Sequence, residues 1–146
     1  MTIAIRPCAS ADMAALTDIW FDSWASTGVS VPSPATRMEL RDRLPREVAG
    51  GWEVLVVTVD GVPAGFMALA GDLLEQLFIA PAFQNRGLGK CLLDRAKRMR
   101  PKGLRLTTAV DSGACRFYLR EGLAVVAPDD VHPRFGHARR HFSWTP

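Results

Sequence analysis

A chain of 146 residues has room for one sizeable hydrophobic core and too little for two, so a single domain spanning residues 1–146 is expected. Hydrophobic residues at 48% and charged residues at 23% lie near the average for globular proteins and exclude a disordered chain. The net charge of +3 is mild, and no aromatic residues interleave with Lys90, Arg95, Lys97, Arg98, Arg100 and Lys102, which argues against nucleic acid as a partner.

No apolar run of about 18 residues is present to span a membrane, and the N-terminus lacks the basic-then-apolar pattern of a secretion signal, which points to a cytoplasmic location. Cys8, Cys91 and Cys115 are odd in number, widely spaced and without a zinc-ligand pattern. They read as reduced thiols, and no metal is expected.

In chain order, Thr2 to Arg6 alternate as a strand that stops at Pro7. Ser10 is placed to cap a helix whose apolar positions Met13, Leu16, Trp20 and Trp24 recur at helical spacing. Ser33-Pro34 is a cap followed by a first-turn proline. A second helix is expected from there to Leu44, with Glu39 and Arg43 paired one turn apart and Pro45 closing it. Trp52 to Val59 is rich in β-branched residues, Asp60-Gly61 is a two-residue hairpin turn, and Pro63 to Ala70 returns as an antiparallel strand. Leu73 to Ile79 makes a third strand after Gly71-Asp72.

A turn-rich loop from Pro81 to Gly89 then leads into a helix with Leu88, Leu92, Ala96 and Met99 on one face, ended by Pro101 and Gly103. Leu104 to Val110 reads as a strand. Ser112 to Glu121 reads as a short helix with Ala114, Phe117 and Tyr118 on one side and Gly122 as its stop, followed by strand-like Leu123 to Ala127 and Gly136 to Trp144. The order β-α-α-β-β-β-α-β-α-β-β predicts an α/β fold with a mixed sheet flanked by helices.

Chemistry concentrates in Leu77 to Lys90, which runs from strand through a glycine-bearing turn into an amphipathic helix. Gly87 and Gly89 let the backbone approach a ligand closely, and the unpaired amides of a helix start favour an anion such as a diphosphate, with Arg86 and Lys90 adding charge. A triphosphate loop is excluded because Cys91 follows Lys90 and no glycine stands five residues before Gly89. A dinucleotide fingerprint is excluded because Leu92 stands where its third glycine belongs. Taken alone, a bare G-x-G is best read as a tight turn without a ligand.

Gln84-Asn85-Arg86-Gly87-Leu88-Gly89 nevertheless matches every specified position of [QR]-x-x-G-x-[GA], the main cofactor motif of the Gcn5-related N-acetyltransferases. Ala114-Cys115-Arg116-Phe117-Tyr118-Leu119-Arg120-Glu121-Gly122-Leu123 resembles that family's later A-x-x-F-Y-x-x-x-G-F helix. The resemblance covers the whole chain in element order, with specific motifs confined to residues 73–123. Two departures stand out: Asp111 where many members have Asn, and Leu123 where they have Phe. An ionised Asp111 accepts hydrogen bonds but donates none.

The resemblance implies a GNAT-like fold and acetyl-CoA as co-substrate. It places the pantetheine arm along Leu77, Phe78 and Ile79 and the diphosphate at Gln84, Asn85, Arg86, Gly87, Leu88, Gly89 and Lys90, with further contacts from Asp111, Ala114, Phe117 and Tyr118. It also implies direct attack of an amine on the thioester. An alkylammonium titrates near pH 10, so a general base is useful. Glu75 is the first candidate and His132 the second, although a strand carboxylate is more often solvated or salt-bridged. Tyr118, the only tyrosine, occupies the position from which the family protonates the departing thiolate; otherwise it packs beside Phe117.

The acceptor is expected to be a small-molecule amine or a peptide amino group. It would be met by the first two helices, the loop Ser26 to Ser33 and the segment Pro128 to His137. Trp20 and Trp24 share a helical face and read first as core, and Asp129 and Asp130 are placed to attract a cationic amine, although two acidic residues in a loop are usually just solvated. The rival readings are a transferase of a different acyl-CoA and a non-catalytic acyl-CoA sensor. An exposed last strand leaves a homodimer open.

Overall fold

Seven strands and four helices alternate along Met1–Pro146 in the computed structural model. They are β1 (Ile3–Pro7), α1 (Met13–Ser26), α2 (Arg37–Ala49), β2 (Glu53–Val59), β3 (Val62–Ala70), β4 (Leu73–Ile79), α3 (Leu88–Met99), β5 (Leu104–Ala109), α4 (Ala114–Arg120), β6 (Ala124–Val131) and β7 (Ala138–Trp144). The order along the chain is the one expected. All strands join one sheet in the order β1-β2-β3-β4-β5-β7-β6, and every neighbouring pair is antiparallel except β4 and β5.

The central strands β2 and β3 are buried on both faces, which is why they read as near-continuous apolar runs. Leu55, Val57, Met67 and Leu69 pack with Leu88, Leu92, Leu93 and Ala96 of α3. Val54, Val56, Phe66 and Ala68 face the other way, onto Leu16, Ile19 and Trp20 of α1 and Leu40 and Leu44 of α2. Two cores thus form from one alternation, one under each helix pair.

Four local expectations change. The first helix is entered through a 3₁₀ turn, Ser10–Asp12, in which the Asp12 carboxylate accepts the Ala9 amide at 2.7 Å, so Asp12 rather than Ser10 does the capping. The second helix begins at Thr36, whose hydroxyl accepts the Glu39 amide at 3.1 Å, and it runs through Pro45 to Ala49. Pro45 forfeits one amide bond to the turn before it, while the burial of Leu40 and Leu44 against the sheet holds the helix together across that gap. Glu39 pairs with Arg134 at 3.2 Å and Arg43 approaches Glu47 at 3.7 Å, so the expected Glu39–Arg43 pair does not form. Finally, the last strand is not an edge. β7 lies between β5 and β6, and the free edge belongs to β6, all of whose residues are exposed.

The basic face of α3 serves structural ties. Lys97 donates to the Glu121 carbonyl at 2.6 Å, and Arg100 donates to the Gly71 carbonyl at 2.6 Å and pairs with Glu53 at 3.0 Å. No helix is long and apolar enough to cross a membrane.

Candidate active site

The one parallel junction of the sheet barely forms. β4 and β5 align only at Leu73 and Arg105, reinforced by the Arg105 amide donating to the Asp72 carbonyl at 3.0 Å, and beyond that point they part. Residues Leu73 to Ile79 on one side and Thr107 to Ala109 on the other line the resulting V, which opens into a cleft of about 1140 Å³. An edge of β4 stripped of its strand partner presents free main-chain donors and acceptors, the condition under which an extended ligand can be taken in as an extra strand.

At the far end of β4 the chain is held by its own terminus. The Ile79 carbonyl accepts from Ser23 Oγ of α1 at 2.7 Å and from Gln84 Nε2 at 3.0 Å. The Gln84 side chain therefore fastens the loop to the strand that precedes it. Ser23, buried on the same face as Trp20, is a cleft-lining residue that sequence reading passed over; a lone polar residue inside an apolar helical face was the available signal.

Asn85 (φ 63°) and Gly87 (φ 80°) adopt left-handed backbone, and Gly87 caps α3. The first bond inside α3 runs from the Cys91 amide to the Gly87 carbonyl at 3.1 Å, which leaves the amides of Leu88, Gly89 and Lys90 without a carbonyl one turn back. These donors stand at the positive end of a 12-residue helix, an arrangement whose charge and free amides suit an anion such as a phosphate. Lys90 lines the cleft but is shared with Asp94 at 3.0 Å and Glu121 at 3.1 Å. Arg116 and Arg120 of α4 line the cleft as well, two cations that sequence analysis did not single out.

Of the residues expected at the cofactor, Leu77, Phe78, Ile79, Gln84, Asn85, Gly87, Leu88, Gly89, Lys90, Ala114, Phe117 and Tyr118 line this cleft. Arg86 and Asp111 do not. The Arg86 guanidinium sits over the Phe83 ring at 5.4 Å, outside the cleft, and Asp111 lies exposed in the turn after β5.

Glu75 sits on a β-bulge. Ala68 pairs with Gln76 and Leu69 with Leu74, so Glu75 has no partner on β3. Burial pushes its carboxyl above the usual carboxylate range, opposed by Arg43, reinforced by Glu47 and opposed again by Arg105. Tyr118 packs between Phe117 and Phe142, ring centroids 5.2 and 5.8 Å away, and is 6% exposed. Burial, with Cys115 contributing, raises its hydroxyl well above the ordinary phenol value, so it stays protonated. Glu75 and Tyr118 thus line one cleft from different walls.

The acceptor side departs more from expectation. Trp20 is core, 5.9 Å from Trp52, and reaches the cleft wall as well, while Trp24 lines the cleft and packs on His137 at 5.3 Å. Asp129 and Asp130 are unavailable to an amine, because they pair with Arg140 at 2.9 Å and Arg139 at 2.6 Å. His132 Nδ1 accepts the amides of Arg134 and Phe135, both at 3.1 Å, which puts the ring proton on Nε2 and removes the lone pair a base would use.

A family model, the acetyltransferase (GNAT) domain, matches residues 50–122. Peptidyl-lysine N-acetyltransferase YjaB of Escherichia coli is 31% identical over 134 residues, 90% of this chain and 88% of that protein. The Salmonella typhimurium protein of the same name is 35% identical over 80 residues, so that the match spans about half the length of each, 53%. Among solved structures, the Salmonella typhimurium acetyltransferase yncA with its cofactor acetyl-CoA superposes with a TM-score of 0.74 at 22% identity, covering 99% of this chain and 94% of that one. Matched by the family model over half its length and by a relative over nearly all of it, the chain belongs to the GNAT family of acetyl-CoA-dependent N-acetyltransferases.

Proposed function

We propose that the chain moves the acetyl group of acetyl-CoA onto the side-chain amine of a lysine in a peptide or protein, with Glu75 as general base and Tyr118 as general acid. The observation that carries this reading is the splayed β4–β5 junction, whose V brings Glu75 and Tyr118 to one cleft with the open start of α3 at its other end. The peptide acceptor is supported by the E. coli relative, which is named a peptidyl-lysine N-acetyltransferase.

Acetyl-CoA supplies an acyl group already activated as a thioester. The amides of Leu88, Gly89 and Lys90 take its diphosphate, and the free edge of Leu77 to Ile79 takes its amide-bearing arm. Glu75 removes the proton from the incoming ammonium, directly or through a water, and its raised affinity for protons brings it closer to the working pH. As the amine nitrogen bonds to the acyl carbon it sheds its second proton to solvent, the carbon–sulfur bond breaks, and Tyr118 gives its proton to the departing sulfur and recovers one from solvent, while Glu75 releases the first proton to water, so that one proton is liberated per amide formed.

The test is thiol release from acetyl-CoA with lysine-containing peptides, read together with the acetylated product by mass. Replacing Tyr118 with Phe removes only the hydroxyl. It should lower kcat about 10- to 100-fold with KM for acetyl-CoA nearly constant. Unchanged kcat removes Tyr118 from the mechanism, and acetyl-CoA binding without thiol release from any amine would leave a sensor instead of an enzyme.

A further inference from the structure

The cleft is lined by six cationic side chains, Arg43, Lys90, Arg105, Arg116, Arg120 and Arg139, and by only two carboxylates, Glu75 and Glu121. They divide into two groups. Lys90, Arg116, Arg120 and Glu121 belong to α3, α4 and its end, beside the proposed diphosphate site. Arg43 and Arg105 lie toward Glu75, at the other end, and Arg139 lies with Arg43 beside His132.

Strand alternation explains that second group. On β5 the buried Leu104 and Leu106 face the α3 core, so Arg105 and Thr107 face the opposite side. On β7 Phe142 enters the same core, so Arg139 and His141 face away from it, and the register sets Thr107 against His141 and Ala109 against Arg139. This half of the sheet has no helix over that face, and α2 walls it on one side with Arg43, held over Trp20 and Trp52 at 5.3 and 5.5 Å. Arg105 and Arg139 have partners in Asp72 and Asp130, and Arg43 approaches Glu47, yet none of these three acids lines the cleft. Toward the acceptor the wall shows one carboxylate and three guanidinium groups, each with an acid behind it, and Arg43, whose approach to Glu47 is the longest of the three at 3.7 Å, is the least committed.

Such a wall repels an amine set among other cations and attracts one set beside an anion. A second cavity of about 410 Å³, between α2 and the turn after β6, shares Arg43, His132 and Phe135 with the main cleft and adds Arg46 and Arg134 together with Glu39 and Asp42, Glu39 being paired with Arg134.

We propose that the preferred acceptor is a lysine with aspartate or glutamate close to it in the peptide, read by Arg43, Arg105 and Arg139 while Glu75 takes the amine's proton. The inference rests on the lysine reading above and narrows it to an acidic surrounding. The guanidinium groups supply the anion contacts, and the single carboxylate is reserved for the proton transfer.

The test uses the full chain with saturating acetyl-CoA and three sets of lysine-centred peptides of equal length, flanked by Asp and Glu, by Ala, or by Arg. Acidic flanks should give kcat/KM about tenfold above alanine flanks at low salt and arginine flanks should fall below alanine, with the spread shrinking as added salt shortens the screening length. Arg43→Glu should reverse the order. Because Arg43 also packs on two tryptophans, Arg105→Glu, at a side chain 61% exposed, serves as a second variant, and an unchanged melting shift with acetyl-CoA checks that each is folded. Equal kcat/KM across the three sets, or the same preference in both variants, overturns the inference and leaves lysine acetylation standing. Acetylation of no peptide, with small amines still accepted, overturns both.

Discussion

Gly87 and Gly89 sit two residues apart in the same motif, and the structure predicts opposite outcomes when each becomes alanine. Gly87 holds φ at 80° as the cap of α3, a left-handed conformation that costs an L-residue roughly 1–2 kcal/mol, although a Cβ there would meet no neighbouring atom. Gly89 lies inside the first turn of α3. A Cβ on it would stand 3.6 Å from Phe117 and 3.9 Å from Leu77 and Ile79, ordinary contact distances, and alanine is the better helix former by up to about 1 kcal/mol. For a domain near 150 residues, 1 kcal/mol moves the melting temperature by about 4 °C. Gly87→Ala should thus melt about 4–8 °C lower, and Gly89→Ala between no change and about 4 °C higher.

Cofactor binding should separate in the same direction. Relaxing residue 87 out of the left-handed region re-aims the amides of Leu88, Gly89 and Lys90, and acetyl-CoA affinity measured by calorimetry should fall at least about tenfold, equivalent to about 1.4 kcal/mol. Gly89→Ala should stay within about threefold, in keeping with a motif that admits alanine at that position. A Gly89→Ala protein that melts several degrees lower, or a Gly87→Ala protein that matches the parent in both stability and affinity, would refute the assignment of these two residues to different tasks.

Other perturbations test the proton chemistry and the scaffold. Burial raises the Glu75 carboxyl, so kcat/KM should fall with decreasing pH through a limb lying above the ordinary carboxylate range, and Glu75→Gln should lower the rate and abolish that limb; a limb that survives the substitution belongs to another group. Asp12 is held below the usual range first by its hydrogen bonds from Arg6, at 2.7 and 2.9 Å. The native state therefore binds fewer protons there than the unfolded chain, and this stabilisation is complete above about pH 4 and disappears as pH falls through the depressed native value. Asp12→Asn should accordingly melt lower near neutral pH, with the gap to the parent closing in acid; an equal gap at both would contradict the linkage. Leu92 is fully buried beneath α3, and Leu92→Ala should cost about 2–5 kcal/mol in urea unfolding, with a loss under about 1 kcal/mol counting against its place in the core.

Local features of this protein were readable wherever a short segment dictates its own shape. The Asp60-Gly61 hairpin, the strand-to-helix turn around Gly87 and the Ala114 to Gly122 helix each depend on neighbours a few residues away. The half of the cleft proposed to hold the cofactor is built from two such segments, Leu77 to Lys90 and Ala114 to Tyr118, whose residues could be picked out from the chain alone as neighbours of one cleft. α2 was misread because a proline reports a missing amide, while the burial that carries the helix past Pro45 comes from a sheet not yet formed when the sequence is read.

The acceptor half is different in kind. Arg43, Glu75, Arg105 and Arg139 come from α2, β4, β5 and β7, and no spacing along the chain relates them. They line one cleft because β4 and β5 pair at one point and then part, because β7 inserts between β5 and β6, and because a bulge leaves Glu75 without a strand partner. Periodicity specifies which face a side chain takes within its own element, whereas strand order and register decide which faces become neighbours, and those are settled only when the whole sheet closes over its two cores.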